Sequence, residues 1–196
     1  TFGSLMQVPE GLAEKLPALK QLSEATSQDL FVSEALKRLR PLVQQAELLA
    51  AQYDAVVANP PYMGSKYQVR ALKDYAKSSF PAAKGDLFSC FIERGYTLAN
   101  SAGCNAMVTM QSWMFLSSFE ALRGRILNQH TILSMAHLGA RAFDSIGGEV
   151  VSTTAFVLEN AHKPNYRGAF LRLVDGNSEA EKMAMMAQAI AQGRSA

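Results

Sequence analysis

The pattern of apolar and polar positions begins with a helical rhythm. Between residues 28 and 50, apolar side chains fall at Val32, Leu36, Leu39, Val43, Ala46 and Ala50. Steps of four and three residues gather them on one face of an amphipathic helix. Pro41 interrupts that stretch and predicts a kink or the start of a second helix, because proline lacks an N–H and crowds the preceding turn. Residues 53–58 are a short apolar run and read as a buried strand, whereas 63–84 are polar and rich in lysine. Helical spacing returns over 86–100, with Leu87, Phe88, Phe91, Ile92 and Leu98 on the apolar side. Ser101, Ala102 and Gly103 predict a turn, and 105–110 a strand.

Ser117 or Ser118 is a candidate cap for a helix reaching about residue 128, with Phe119, Leu122, Ile126 and Leu127 facing inward. Another strand is predicted over 131–138, followed by a glycine-bearing loop over 139–148. Residues 150–158 and 168–174 are β-rich, the first of them full of branched side chains. Ser178 and Glu181 stand at the spacing of a capping box before a final helix rich in Ala and Met. Strands alternating with helices imply an α/β fold, with a mostly parallel sheet covered by helices on both faces. The last strands are too close for a crossover and predict an antiparallel hairpin at the edge. Ligand sites of such sheets lie beyond the carboxyl ends of the strands, where Asn59 stands.

Bulk properties narrow the class only a little. The chain has 196 residues, of which 48% are hydrophobic and 18% charged, which suits a substantial core and excludes a disordered chain. A net charge of +2 is too small for a protein that coats nucleic acid. Cys90 and Cys104 make no C-x-x-C pair and no disulfide framework, which favours a reducing, cytoplasmic setting. The apolar runs fall far short of the ~20 residues that cross a bilayer, so no membrane partner is expected. His130, His137 and His162 lack ligand spacing, so no metal is expected. The chain opens on Thr1 and trails off through Gln192-Gly193-Arg194-Ser195-Ala196, as a piece of a longer protein would.

The strand over 53–58 stops at Asn59-Pro60-Pro61-Tyr62. Asn-Pro commonly starts a turn, but adjacent prolines at a given place are about a 1 in 400 event, and the flanking Asn and Tyr make a plain turn still less attractive. The asparagine amide oxygen and the neighbouring backbone carbonyl are both acceptors. Pro60 has a fixed φ and no N–H, so the loop is stiff and rich in carbonyls. Two convergent acceptors can hold both hydrogens of an exocyclic –NH₂ while Tyr62 stacks on the ring that carries it. Such a nitrogen can attack a sulfonium methyl group and lose its proton afterwards.

This segment resembles the catalytic motif of S-adenosylmethionine-dependent N6-adenine DNA methyltransferases. Lys84-Gly85-Asp86-Leu87-Phe88, followed by Phe91-Ile92-Glu93, is similar to the family's next motif, a helix start beside the cofactor adenine. Residues 107–114, ending in Gln-Ser-Trp-Met, resemble the following strand and loop. Leu138-Gly139-Ala140-Arg141-Ala142-Phe143 resembles the loop whose aromatic touches the flipped base. The wording is most like the large PglX-type methyltransferases of BREX phage-defence systems, over roughly residues 50–175.

The resemblance implies the C-terminal part of a Rossmann-like class I methyltransferase domain. It divides the chain into a helical connecting segment (1–52), a catalytic part (53–175) and a C-terminal helix leading onward (176–196). It implies Asn59, Pro60, Pro61 and Tyr62 as catalytic residues, Phe143 and Lys66 as substrate contacts, and Leu87 and Phe91 near S-adenosylmethionine. It also implies double-stranded DNA with a flipped adenine as partner, beside other phage-defence proteins. Lys66, Arg70, Lys73, Lys77 and Lys84 against Asp74 give the 63–84 stretch a net +4 next to this loop, suited to phosphate contacts.

The family's glycine-rich cofactor loop has no counterpart in the chain, so half of the cofactor site is expected elsewhere and these 196 residues are expected to be inactive alone. Glutamine N5-methyltransferases of release factors and RNA guanine N2-methyltransferases present the same –NH₂ chemistry. A DNA-binding subunit without catalysis is the reading from outside enzymology.

Overall fold

A computed structural model describes residues 3–143 and 151–193. The chain divides into two compact units, Thr1–Gln52 and Tyr53–Ala196. The first is helical, with α1 (Glu10–Ala13), α2 (Leu16–Glu24) and α3 (Leu30–Ala50). The Asp29 carboxylate caps α3 by accepting from the N–H groups of Phe31 at 2.8 Å and Val32 at 3.2 Å. Leu16 and Val43 are buried where α2 meets α3, and Lys20 pairs with Glu47 at 3.2 Å. The helix α3 continues through Pro41 as one element, so no second helix starts there. The inner stripe is Leu36, Leu39, Val43 and Ala46, while Val32 is exposed.

The second unit contains β1 (Tyr53–Ala58), α4 (Arg70–Ser79), α5 (Leu87–Leu98), β2 (Ala99–Met110) and α6 (Glu120–Gln129). It continues with β3 (Thr131–Gly139), β4 (Thr153–Glu159), β5 (Ala169–Arg172) and α7 (Glu179–Ala191). The sheet order is β1-β2-β4-β3-β5. β1 and β2 are parallel, β3 and β5 are parallel, and β4 runs antiparallel to both of its neighbours. Four strands therefore point one way, as the α/β reading expects. The hairpin differs in detail from the sequence reading. It joins β3 to β4 rather than β4 to β5, and β4 inserts between β2 and β3, leaving β5 at the edge.

One face of the sheet is closed by α5 and α6. Phe88, Ile92, Leu122 and Ile126 meet Met107, Met135, Phe156 and Leu158 in a core that also holds Trp113 and Phe119. The alternate residues of the strands face the other way. There Val57, Ala106, Val108, Ala136, Val157 and Leu171 line an apolar groove of about 330 Å³, to which α7 contributes Met186. Helices thus close one face, and the other remains a groove among the described residues.

Several local readings change with the structure: no residue of β1 is fully buried, and Leu127 of α6 faces solvent rather than inward. Ser117 and Ser118 lie in a short 3₁₀ turn, and α6 starts at Glu120 with Phe119 at the cap position and no side-chain cap bond. The turn expected at 101–103 is an irregularity within β2, whose register against β1 jumps between Tyr53 and Ala55. A Cβ on Gly103 would stand 2.7 Å from the Tyr53 carbonyl oxygen, so only glycine permits that approach. The cap of α7 forms as read at Ser178, whose Oγ accepts from Glu181 N at 3.2 Å, but the returning Glu181 Oε2 accepts from Asn177 N at 2.7 Å, one residue before the cap.

Candidate active site

Four strand ends, those of β1, β2, β3 and β5, share one rim of the sheet. Asn59 follows β1 directly and is exposed, Pro60 is buried, Pro61 is exposed and Tyr62 is half-buried. The buried first proline anchors the turn while the asparagine stays open to solvent. The Tyr62 hydroxyl donates to Asn59 Oδ1 across a long 3.4 Å contact. The Tyr62 ring packs edge-on to Phe88, with centroids 6.1 Å apart and planes at 88°. This burial pushes the phenol's pKa up, so the hydroxyl remains a donor at neutral pH.

The chain leaving this loop is tied down by hydrogen bonds. Met63 N–H donates to Asp86 Oδ1 at 2.9 Å, and the same oxygen accepts from Phe88 N–H at 3.3 Å at the start of α5. The Met63 carbonyl accepts from Leu87 N–H at 3.1 Å and from Gln68 Nε2 at 3.1 Å. Ser65 N–H reaches the Gly85 carbonyl at 3.0 Å, and Gly64 bridges to Asp86. Burial raises the Asp86 pKa above the usual carboxylate range, while the N–H groups of Met63, Phe88 and Leu87 oppose the rise. Leu87 is buried, and Phe91 is only partly covered by the core it packs against.

Beyond β2, Gln111 begins a 3₁₀ turn ending at Met114, and its N–H donates to the Ser152 carbonyl at 2.9 Å. Its side-chain Oε1 lies 2.5 Å from His137 Nε2 on β3, and Phe115 packs against the His137 ring with centroids 5.6 Å apart. Burial, then the charges of Arg172 and Lys182, lower the His137 pKa, so a neutral imidazole with Nε2–H donating to the amide suits the contact. At the end of β3, Lys182 Nζ donates to the carbonyls of Leu138 at 2.7 Å and Leu173 at 2.9 Å. Gly139 follows with a φ of +67°, a left-handed value that glycine adopts without strain. These contacts fix the end of β3, from which the chain runs on to Phe143, a partly exposed residue. The remainder of that loop, with Gly147 and Gly148, lies outside the described residues.

The fold therefore brings Asn59, Pro60, Pro61 and Tyr62 together in one turn, with Leu87 behind it and Phe91 one helical turn further along α5. Phe143 leaves from β3, three strand spacings from β1, or about 14 Å. Lys66 is exposed just before α4, which carries Arg70, Lys73 and Lys77. Sequence reasoning missed Asp86 as the partner of Met63, 23 residues away, and the Gln111–His137 pair, 26 residues apart. The linear signals for Asp86 were its place in the Lys84–Phe88 motif and before an apolar helical run, which marks a cap, and neither names Met63 as its partner. Among the described residues, no group of three or more His, Cys, Asp or Glu is placed to hold a metal ion.

Residues 13–143 match the family described as Eco57I restriction-modification methylase. The chain is 52% identical over 187 residues to the adenine-specific methyltransferase BrxX of Escherichia coli O9:H4 (strain HS), covering 93% of this chain and 15% of that protein. It is 46% identical over 144 residues to the adenine-specific methyltransferase PglX of Lacticaseibacillus casei (strain Zhang), covering 74% and 12% respectively. It thus spans only a small part of the length of these relatives. Among solved structures, a nuclease-deletion mutant of the Type ISP restriction-modification enzyme LlaGI, in complex with a DNA substrate mimic, superposes with a TM-score of 0.57 at 16% identity. That match covers 87% of this chain and 16% of the other, and shows a shared fold.

Proposed function

Because this chain belongs to the Eco57I restriction-modification methylase family, we propose that it forms the amine-gripping part of a methyltransferase acting on adenine N6 in DNA. Its sheet is that of class I S-adenosylmethionine-dependent methyltransferases. The observation that carries the reading is the exposed Asn59 amide at the carboxyl end of β1, with the Tyr62 hydroxyl 3.4 Å from its oxygen. The setting proposed is cytoplasmic phage defence of the BREX kind or restriction-modification, with double-stranded DNA and other defence proteins as partners.

Within a duplex, adenine N6 is paired and stacked, so the base must leave the helix before it can react. Tyr62 then replaces one stacking neighbour, and Phe143 closes on the base from the β3 side. Asn59 Oδ1 and the Pro60 carbonyl accept the two N6 hydrogens and fix the nitrogen in place. An amide oxygen has two lone pairs, so Asn59 can keep its Tyr62 contact while it binds the substrate. Pro60 and Pro61 hold both acceptors in one geometry, which lowers the entropy cost of reaching the reactive alignment.

S-adenosylmethionine, when bound, supplies a methyl group on a cationic sulfur; the new C–N bond forms as the C–S bond breaks and its electron pair remains on sulfur. The methylated N6 then carries the surplus positive charge and loses one proton to solvent, which the exposed Asn59 borders. Phe91, with its uncovered part, suits an apolar wall for the cofactor's adenine, and the buried Leu87 supports that wall from behind. Lys66 and the α4 cations flank the loop and suit DNA phosphates, whose contacts orient a duplex without reading its sequence.

Product analysis tests the proposal. The complete polypeptide should transfer labelled methyl to adenine N6 of duplex DNA, and the Asn59→Ala variant should not. Label on a glutamine side chain or on guanine in RNA would replace this reading with another.

A further inference from the structure

The residue that turns this loop from a flexible connection into a fixed one is an acid with no place in the chemistry. A single oxygen, Asp86 Oδ1, accepts from Met63 N–H at 2.9 Å and from Phe88 N–H at 3.3 Å. One donor belongs to the residue immediately after Tyr62, and the other to the first turn of α5, whose Phe88 ring supports Tyr62 edge-on. Leu87 N–H closes the ring of contacts by donating to the Met63 carbonyl. Backbone on one side of Tyr62 and aromatic ring on the other are therefore referred to the same carboxylate.

The same contacts close the base of the 63–86 excursion. Ser65 N–H to the Gly85 carbonyl and the Gly64–Asp86 bridge bring its two ends together. Lys66, Arg70, Lys73, Lys77 and Lys84 all lie between those ends. Closing such a loop costs conformational entropy that the clasp must offset. Without it, Met63 would be free to drift, and Tyr62 with it. A misplacement of about 1 Å at reacting groups costs up to roughly a hundredfold in rate.

We infer that Asp86 is a positioning residue that clasps the amine-gripping loop to the start of α5 through one shared carboxylate oxygen. The inference rests on the methyltransferase reading for its consequence in rate, while the clasp itself has a readout independent of activity. Asp86→Asn keeps a carbonyl-type oxygen for both N–H groups, and Asp86→Ala removes it.

In the complete polypeptide, amide hydrogen exchange over residues 59–68 should accelerate in Asp86→Ala and stay near wild type in Asp86→Asn. In the same proteins, kcat should fall roughly ten- to hundredfold in the alanine variant and recover in the asparagine variant, with KM for the cofactor unchanged. Unaltered exchange in Asp86→Ala would overturn the clasp. So would an asparagine variant as damaged in both readouts as the alanine one, because the acceptor would then not be what matters. If Asp86→Ala does not fold, near-wild-type exchange and turnover in Asp86→Asn support the clasp, and faster exchange there overturns it. A wild-type protein that methylates nothing yet shows the exchange pattern removes the proposed reaction and leaves the clasp standing.

Discussion

At Tyr62, one side chain carries two separable tasks. The ring leans on Phe88 and faces the rim, and the hydroxyl donates to Asn59 Oδ1. Tyr62→Phe keeps the ring and drops the donor, so methyl transfer should fall only a few-fold. Tyr62→Ala removes the stacking surface as well. Stacking of a base on an aromatic ring contributes about 1–3 kcal/mol, so the alanine variant should lose roughly ten- to hundredfold in kcat/KM. A fluorescent adenine analogue in the duplex reports base flipping directly. Equal flipping and equal rates in Tyr62→Ala and wild type would exclude Tyr62 as a stacking partner.

A second residue has consequences for pH. His130 is buried, stacks on Tyr96 with centroids 3.5 Å apart, and has its pKa lowered to about 4 by burial, against a smaller opposing effect of Asn160. The folded state thus resists protonation that the unfolded chain accepts near pH 6.5. Between those two values the unfolded chain binds more protons, so stability falls as pH drops from about 6.5 to about 4. Up to about 3 kcal/mol is at stake over that window. His130→Phe should flatten this part of a Tm-against-pH curve, and an equally steep curve would contradict the account. Asn59 and Tyr62 were legible in the sequence because four adjacent residues state their chemistry. Asp86 with Met63, and Gln111 with His137, were not, because each pair meets only through the fold.

Among the elements, α5 and β2 show why one glycine is needed. Asn105 on β2 is fully buried and donates Nδ2 to the Ile92 carbonyl at 3.1 Å. A Cβ on Gly95 of α5 would stand 2.2 Å from that same nitrogen. Helix and strand approach this closely only because the glycine has no side chain. Gly95→Ala should therefore lower stability by about 1–3 kcal/mol through overpacking, despite alanine's better helix propensity. Chemical denaturation checks the sign, and a stabilised variant would show that the helix can shift at no cost.

Periodicity made α3 and α5 readable, since each buries one face against a neighbour, whereas β1, read from its apolar run as a buried strand, is an edge strand with none of its residues fully covered. The order of strands was less readable. Nothing in residues 150–174 says that β4 enters between β2 and β3, because the pairing is chosen by partners far away in sequence. The helix α4 was hidden within a polar stretch whose exposed lysines match a solvated surface as well as a loop.

Within the second unit, α5 and α6 close one face of the sheet, and among the described residues the other face keeps an apolar groove. Val57 on the edge strand β1 is 78% exposed, beside the groove lined by Ala106, Val108, Ala136, Val157 and Leu171. The chain spans 15% of the BrxX relative, so activity is a property to be measured on the complete polypeptide. The α/β class was legible from the alternation of helix and strand, and the candidate site from its motif.

The most direct test of the central claim compares wild type with Asn59→Ala in that polypeptide. Methyl transfer to adenine N6 is measured beside S-adenosylmethionine binding by titration. Loss of a preorganised hydrogen-bonding partner should reduce kcat by about a hundredfold or more, with cofactor affinity retained. An Asn59→Ala protein that methylates adenine at the wild-type rate would contradict the account.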